Sequence, residues 1–142
     1  MAQLRALAQA PRPTRAHLAA DGGAVARALG VTRVFIERHE LGRDAAERLA
    51  IVVEEWVANV LEHGGPPAGS RIGLRLALHA QIVRVTVTDT GRAFDPRAAV
   101  FEGPDLDRGG GVGLELMRAW SRVAAYGRRA GRNRLVLELP LP

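Results

Sequence analysis

The chain has 142 residues, 47% of them hydrophobic and 25% charged, which suits one ordered domain with a real core and excludes a disordered profile. It contains no cysteine and no lysine, which excludes a disulfide framework, thiolate chemistry, a phosphate-cradling lysine and a Schiff base. The formal charge of +5 comes from arginines strung along the sequence with no run longer than Arg128-Arg129; with only 4% aromatics, it points to an acidic partner surface rather than to nucleic acid.

In chain order, Leu4–Ala8 precedes Pro11 and Pro13 as a short edge strand or a loose tail. Met1–Pro13 lacks the apolar core of a secretory signal, and no apolar stretch reaches the roughly 18 residues of a membrane span. A cytoplasmic chain without a membrane partner is therefore expected. Asp21 is placed to cap a helix over residues 24–40, whose apolar positions are Val25, Leu29, Phe35 and Ile36. Gly42 ends it, and Asp44 can cap a second helix over about 44–63. There Leu49, Val53, Trp56 and Val60 form one apolar face before Gly64-Gly65-Pro66-Pro67 stops the helix. Residues 71–79 and 82–88 alternate as two half-buried strands, and the short link Ala80-Gln81 makes them an antiparallel hairpin. Helical spacing returns at Val112, Leu114, Leu116, Met117, Trp120, Val123 and Ala124; a short strand near Ala125–Tyr126 and a last strand at Leu135–Leu139 follow. Helices with closely joined antiparallel strands predict a two-layer α/β sandwich, not a doubly wound nucleotide fold.

Three constellations carry chemistry. Glu55, Asn59 and His63 fall in one slanted row beside the apolar face of the second helix. Such a row is either a solvated helix edge or a set of polar groups waiting for a ligand, a metal or water. An amide oxygen suits a hard cation, and an acid one turn away suits a base. Asp89-Thr90-Gly91 ends a strand, as a plain Asx turn or as a carboxylate that reads an exocyclic amine, with a glycine that admits a flat ring. Gly109-Gly110-Gly111-Val112-Gly113 opens a helix, as a flexible loop or as an anion site.

Together and in this order, Glu55–Asn59, Asp89–Phe94 and Gly109–Arg118 resemble the N box and the two glycine boxes of the GHKL ATP-binding fold, over roughly residues 20 to 140. Phe94-Asp95-Pro96, Pro104-Asp105-Leu106 and Gly113–Arg118 resemble its anti-sigma-factor serine/threonine kinase branch. The resemblance implies an α+β two-layer sandwich of the Bergerat type, with a mixed, mostly antiparallel sheet and helices on one face. It implies a single domain over residues 1–142, with 1–20 as an N-terminal edge strand or tail, using ATP and Mg²⁺. By the same resemblance Glu55 is the general base, Asn59 the Mg²⁺ ligand, and Asp89 the adenine-reading acid helped by Gly91 and followed by Phe94. Arg108 offsets phosphate charge, and Gly109, Gly110, Gly111, Val112, Gly113 and Leu114 form the lid and phosphate-binding turn. The implied partners are a STAS-domain anti-sigma antagonist as phosphoacceptor, a sigma factor, and a second copy in a homodimer.

Two positions depart from the family pattern. Ala93 stands where a glycine usually precedes the Phe, and Gly131-Arg132-Asn133 replaces a Gly-Thr, with Asn133 in place of the hydroxyl. These departures leave a second reading open, a regulatory module that binds ATP or a partner without phosphotransfer.

Overall fold

A computed structural model describes residues 12–97 and 112–142, the side chains of 112–114 excepted. The elements run β1 (Thr14–Ala19), α1 (Ala24–Arg38), α2 (Arg43–Asn59), a π-helical turn (Val60–Gly64), β2 (Arg71–His79), β3 (Ile82–Asp89), α3 (Val112–Trp120), β4 (Arg122–Arg129) and β5 (Arg132–Pro140). One sheet has the order β1-β2-β3-β5-β4. All four pairings are antiparallel, so no parallel pair occurs among the described residues and the expected mixed character is not found there. An edge strand forms at Thr14–Ala19, paired with β2, and the edge strand or loose tail expected at Leu4–Ala8 falls outside the described residues.

Alternation along the strands sends Ile72, Leu74 and Leu76, Val83, Val85 and Val87, and Leu135, Leu137 and Leu139 to one face. There they join Phe35 of α1 and Leu49, Val53, Trp56 and Val57 of α2 in a single buried cluster. Each fully buried Leu, Val or Ile contributes about 1.5–3 kcal/mol. The apolar face read from the sequence of α2 is the one that packs, with Leu49, Val53, Trp56 and Val60 all buried. Among the described residues no helix is long and apolar enough to cross a membrane.

Several boundaries differ from expectation. The inner face of α1 is Ala24, Ala28, Thr32 and Phe35, whereas Val25 and Ile36 are only half-buried. Small residues there let the helix approach closely, and the Thr32 hydroxyl satisfies itself on the Ala28 carbonyl at 2.8 Å. Gly23, not Asp21, is the N-cap; the Asp21 carboxylate accepts the Gly23 N–H at 2.8 Å and pairs with Arg27. Likewise Gly42 caps α2 and Asp44 sits in its first turn. The third helix stops at Trp120 rather than running through Ala124, because β5 recruits Arg122–Arg129 as a full strand, with a bulge between Val123 and Ala125.

Among the described residues no helix lies on the other face of the sheet. Cross-strand register places Arg15 of β1 and Arg71 and Arg75 of β2 on it, together with Arg84 of β3. Arg132 and Arg134 of β5 and Arg122 and Arg129 of β4 complete the set. Arginines that look scattered in the sequence are thus gathered by period-two alternation.

Candidate nucleotide site

The site assembles where the end of α2 meets the end of β3 and the start of β5. Asn59 is the last α-helical residue of α2; it is buried, and its Nδ2 makes no hydrogen bond. A buried amide N–H left unpaired costs about 1–3 kcal/mol, so it marks a place prepared for a ligand or water. One turn earlier, Glu55 is half-buried. Burial pushes its carboxyl above the usual range, and the charges of Glu54 and Glu62 push it further.

After Asn59 the helix widens into the π turn, a deformation common at functional sites. The expected row therefore breaks. Glu55 and Asn59 stay adjacent, but His63 leaves the row and stacks on Phe94, ring centroids 5.5 Å apart. Trp56 stacks on Phe94 as well, at 5.8 Å. The π turn also delivers the Gly64 carbonyl to the Arg92 N–H, 2.6 Å away. Gly91 is needed at this crossing, since a Cβ there would lie 2.6 Å from the Gly64 oxygen.

Asp89 closes β3 and is buried. Its Oδ1 accepts the Gly91 N–H and the Asn133 Nδ2, each at 2.9 Å. Oδ2 takes neither and keeps its capacity as an acceptor. Asn133 stands directly across from Asp89 in the β3–β5 register. Its orientation is fixed at both ends. Oδ1 accepts from Arg128 at 2.8 Å and from the Tyr126 hydroxyl at 3.4 Å, while Nδ2 also donates to the Gly91 and Arg92 carbonyls. The Tyr126 oxygen in turn accepts the Phe94 N–H at 2.8 Å. Asn133 thus holds the carboxylate as a hydroxyl would. Ala93, the other departure, is exposed and is not among the positive-φ residues, so no glycine is demanded there.

Trp56, Val60, Asp89, Arg92, Phe94, Tyr126, Asn133 and Leu135 line a cleft of ≈ 10 Å³. That is about the room one water needs. The donor set fits ATP with Mg²⁺. Asn59 offers a hard amide oxygen, and Asp89 an acceptor for an amine. No group of three or more His, Cys, Asp or Glu that could hold a metal ion occurs among the described residues. Arg108, Gly109, Gly110 and Gly111 lie outside the described residues. Val112, Gly113 and Leu114 form the first turn of α3. The Arg118 side chain ties α3 to the Pro96 carbonyl.

The sequence singled out Glu55, Asn59, Asp89, Gly91 and Phe94, and the structure brings all five to one end of the molecule. Trp56, Tyr126 and Arg128 were missed as site residues. Their signal was weak: Trp56 reads as core, and Tyr126 and Arg128 act only once β4 pairs with β5.

The chain resembles known proteins in the same direction. Over 98 residues it is 34% identical to the serine/threonine-protein kinase BtrW of Bordetella bronchiseptica, covering 63% of this chain and 66% of that one, just under two thirds of the relative's length. Among solved structures, the RsbU and RsbW domains of Rv1364c from Mycobacterium tuberculosis share the fold with a TM-score of 0.66 and 20% identity, over 92% of this chain and 33% of that one. The blue-light-activated histidine kinase EL346 of Erythrobacter litoralis matches with a TM-score of 0.50 and 21% identity, over 71% of this chain and 32% of that one. The profile of the histidine kinase-like ATPase domain matches residues 18–139, so the chain belongs to the histidine kinase-like ATPase family.

Proposed function

We propose that this chain is an ATP-dependent serine/threonine protein kinase and anti-sigma regulatory factor. Its substrate is a STAS-type antagonist protein, and a sigma factor is its alternative partner. The observation that carries the reading is the pairing on α2: a half-buried carboxyl held above its usual range at Glu55, one turn before the unpaired buried amide of Asn59. A base works best with a pKa near the operating pH, and burial moves Glu55 in that direction. The kinship with a serine/threonine-protein kinase supports the same assignment.

In this mechanism Glu55 takes the proton of the incoming hydroxyl as its oxygen attacks the γ-phosphorus. The bond from that phosphorus to the bridging oxygen breaks, and ADP leaves. Asn59 would hold Mg²⁺, whose charge offsets that of the phosphates. Asp89 accepts the exocyclic amine of adenine, while Gly91 lets the ring lie against the backbone. Phe94, Arg108 and the Gly109–Leu114 segment complete the enclosure. Without lysine, rate enhancement rests on positioning and electrostatics from these groups. A homodimer and a cytoplasmic setting belong to the same reading.

The test mixes the protein with labelled Mg-ATP and the antagonist and follows phosphate transfer for wild type, Glu55→Ala and Glu55→Gln. General-base removal should slow transfer by about 10²–10⁴-fold with nucleotide affinity little changed. Transfer by both variants at the wild-type rate removes Glu55 as the base. Tight Mg-ATP binding by wild type with no transfer establishes the binding-module reading instead. The two sequence departures behind that alternative have local answers in Asn133 and in the unstrained backbone of Ala93.

A further inference from the structure

The face of the sheet opposite α1 and α2 concentrates charge. Among the described residues eight arginines share it with one acid, Glu138, a formal +7 where the whole chain carries +5. Glu138 is already used: it bridges Arg84, at 3.0 Å, and Arg122. These two guanidiniums hold its carboxyl below the usual range. The other six arginines make no hydrogen bond or ion pair among the described residues.

Their arrangement costs the fold something. Arg15 faces Arg75 directly across β1–β2, and Arg129 faces Arg132 across the β4–β5 hairpin. Like charges directly opposite on a sheet are destabilising. An exposed face selected only for solubility would mix its signs. Towards β4 and β5 the surface opens into a groove of ≈ 580 Å³, lined by Thr88, Ala125, Arg128, Arg129, Arg132 and Arg134 among others.

We infer that this face docks a protein partner through an acidic surface, whose carboxylates meet the arginine forks. Arginine presents donors in a planar fork matched to carboxylate, and complementary potentials steer encounter and fix register. A second copy of the chain is unsuited to this face, because two such surfaces repel. Nucleic acid fits less well. Its one described acid sits between strands β3 and β4, where a phosphate would have to pass, and Tyr126 is the single aromatic ring lining the groove, where stacking along a strand wants successive rings. The site of the preceding section lies on the opposite side of the sheet, so this inference is independent of phosphotransfer.

The probes are a fluorescein-labelled Glu/Ala-repeat peptide and a labelled random-sequence DNA duplex, read by anisotropy at low and near-physiological salt. The proteins are wild type, R15Q/R75Q and, as an independent patch, R129Q/R132Q. Each double variant should bind the peptide about fivefold or more weakly with a shallower salt dependence. Neither should melt below wild type, since each removes a repulsive pair. Unchanged peptide affinity in both variants overturns the inference. So does tighter binding of the duplex than of the peptide at near-physiological salt, which makes the face a nucleic-acid surface. A fall in melting temperature in both variants shows the arginines to be structural and overturns it too.

Discussion

Gly91 is where the π turn and the end of β3 lock together, and Gly91→Ala tests that lock. The added Cβ would stand 2.6 Å from the Gly64 oxygen, 2.9 Å from its carbonyl carbon and 3.2 Å from Asp89 Oδ1. Non-bonded heavy atoms settle near about 3.5 Å, so the segments must part by on the order of 1 Å. Two of the three contacts are backbone and cannot rotate away. The cost combines overpacking of about 1–3 kcal/mol with most of the Arg92–Gly64 hydrogen bond, about 0.5–1.5 kcal/mol. A loss of about 3 kcal/mol is expected, a drop in Tm of roughly 6–12 °C for a chain of this size. Because Asp89 Oδ1 is one of the crowded atoms, Mg-ATP affinity should fall with it. Gly30→Ala is the matched control: it lies within α1 with nothing inside 4 Å of its Cβ position, so it should gain about 0.5–1 kcal/mol. Urea melts and titration calorimetry read both variants. If Gly91→Ala melts within about 0.5 kcal/mol of wild type and binds nucleotide equally well, the lock does not exist.

Asn133→Ala removes a donor from the buried carboxylate of Asp89 and should cost about 1.5–3 kcal/mol, with Asn133→Thr recovering part of it. Under the proposed reading, Mg-ATP affinity falls in the same order, and equal affinity in both variants shows that Asn133 does not position Asp89. Glu55 makes a different, pH-linked prediction. Its folded pKa lies above the unfolded one, so its contribution to stability is complete below about pH 4.3 and is lost as pH rises through the folded value. Glu55→Gln should therefore melt above wild type at pH 7, with the gap closing towards pH 4. A variant that melts lower at pH 7 contradicts the stated origin of the shift, which is desolvation and repulsion.

The sequence made the hairpin β2–β3, the inner face of α2 and the Glu55–Asn59 pair legible because each is set by spacing within one element. Thr14–Ala19 is harder to see: its TRAHLA sequence alternates weakly, and only the β2 edge makes it a strand. Val123 and Ala124 continue a helical period by accident of composition, and pairing with β5 overrides it. His63 follows the helical row in the sequence, but one turn of π helix moves it to Phe94, and no residue from Val60 to Gly64 announces that change. The arginine surface was hidden for the opposite reason. Each arginine is unremarkable in its own strand, and the charge appears only when the strands are laid side by side.

The β4–β5 hairpin shows how far one turn governs both sides of the sheet. Ala130 and Gly131 adopt φ of 51° and 75°, the left-handed pair that a two-residue hairpin turn needs to match strand twist. The turn fixes the register in which Arg132 follows it, Asn133 faces Asp89 and Arg134 faces Thr88. A slip of one residue would turn Asn133 onto the arginine face and carry Arg134 into the cleft. Ala130 is a poor residue for that role, since left-handed backbone costs an ordinary L-residue about 1–2 kcal/mol, whereas Asn tolerates it. Ala130→Asn creates the favoured Asn-Gly turn and should raise stability by on the order of 1 kcal/mol. Because Asn133 and Arg134 sit on adjacent pleats, the gain should appear as slower amide exchange at both positions. A stabilised variant whose exchange at Asn133 and Arg134 is unchanged would mean that the register is pinned by the β3–β5 core and not by the turn.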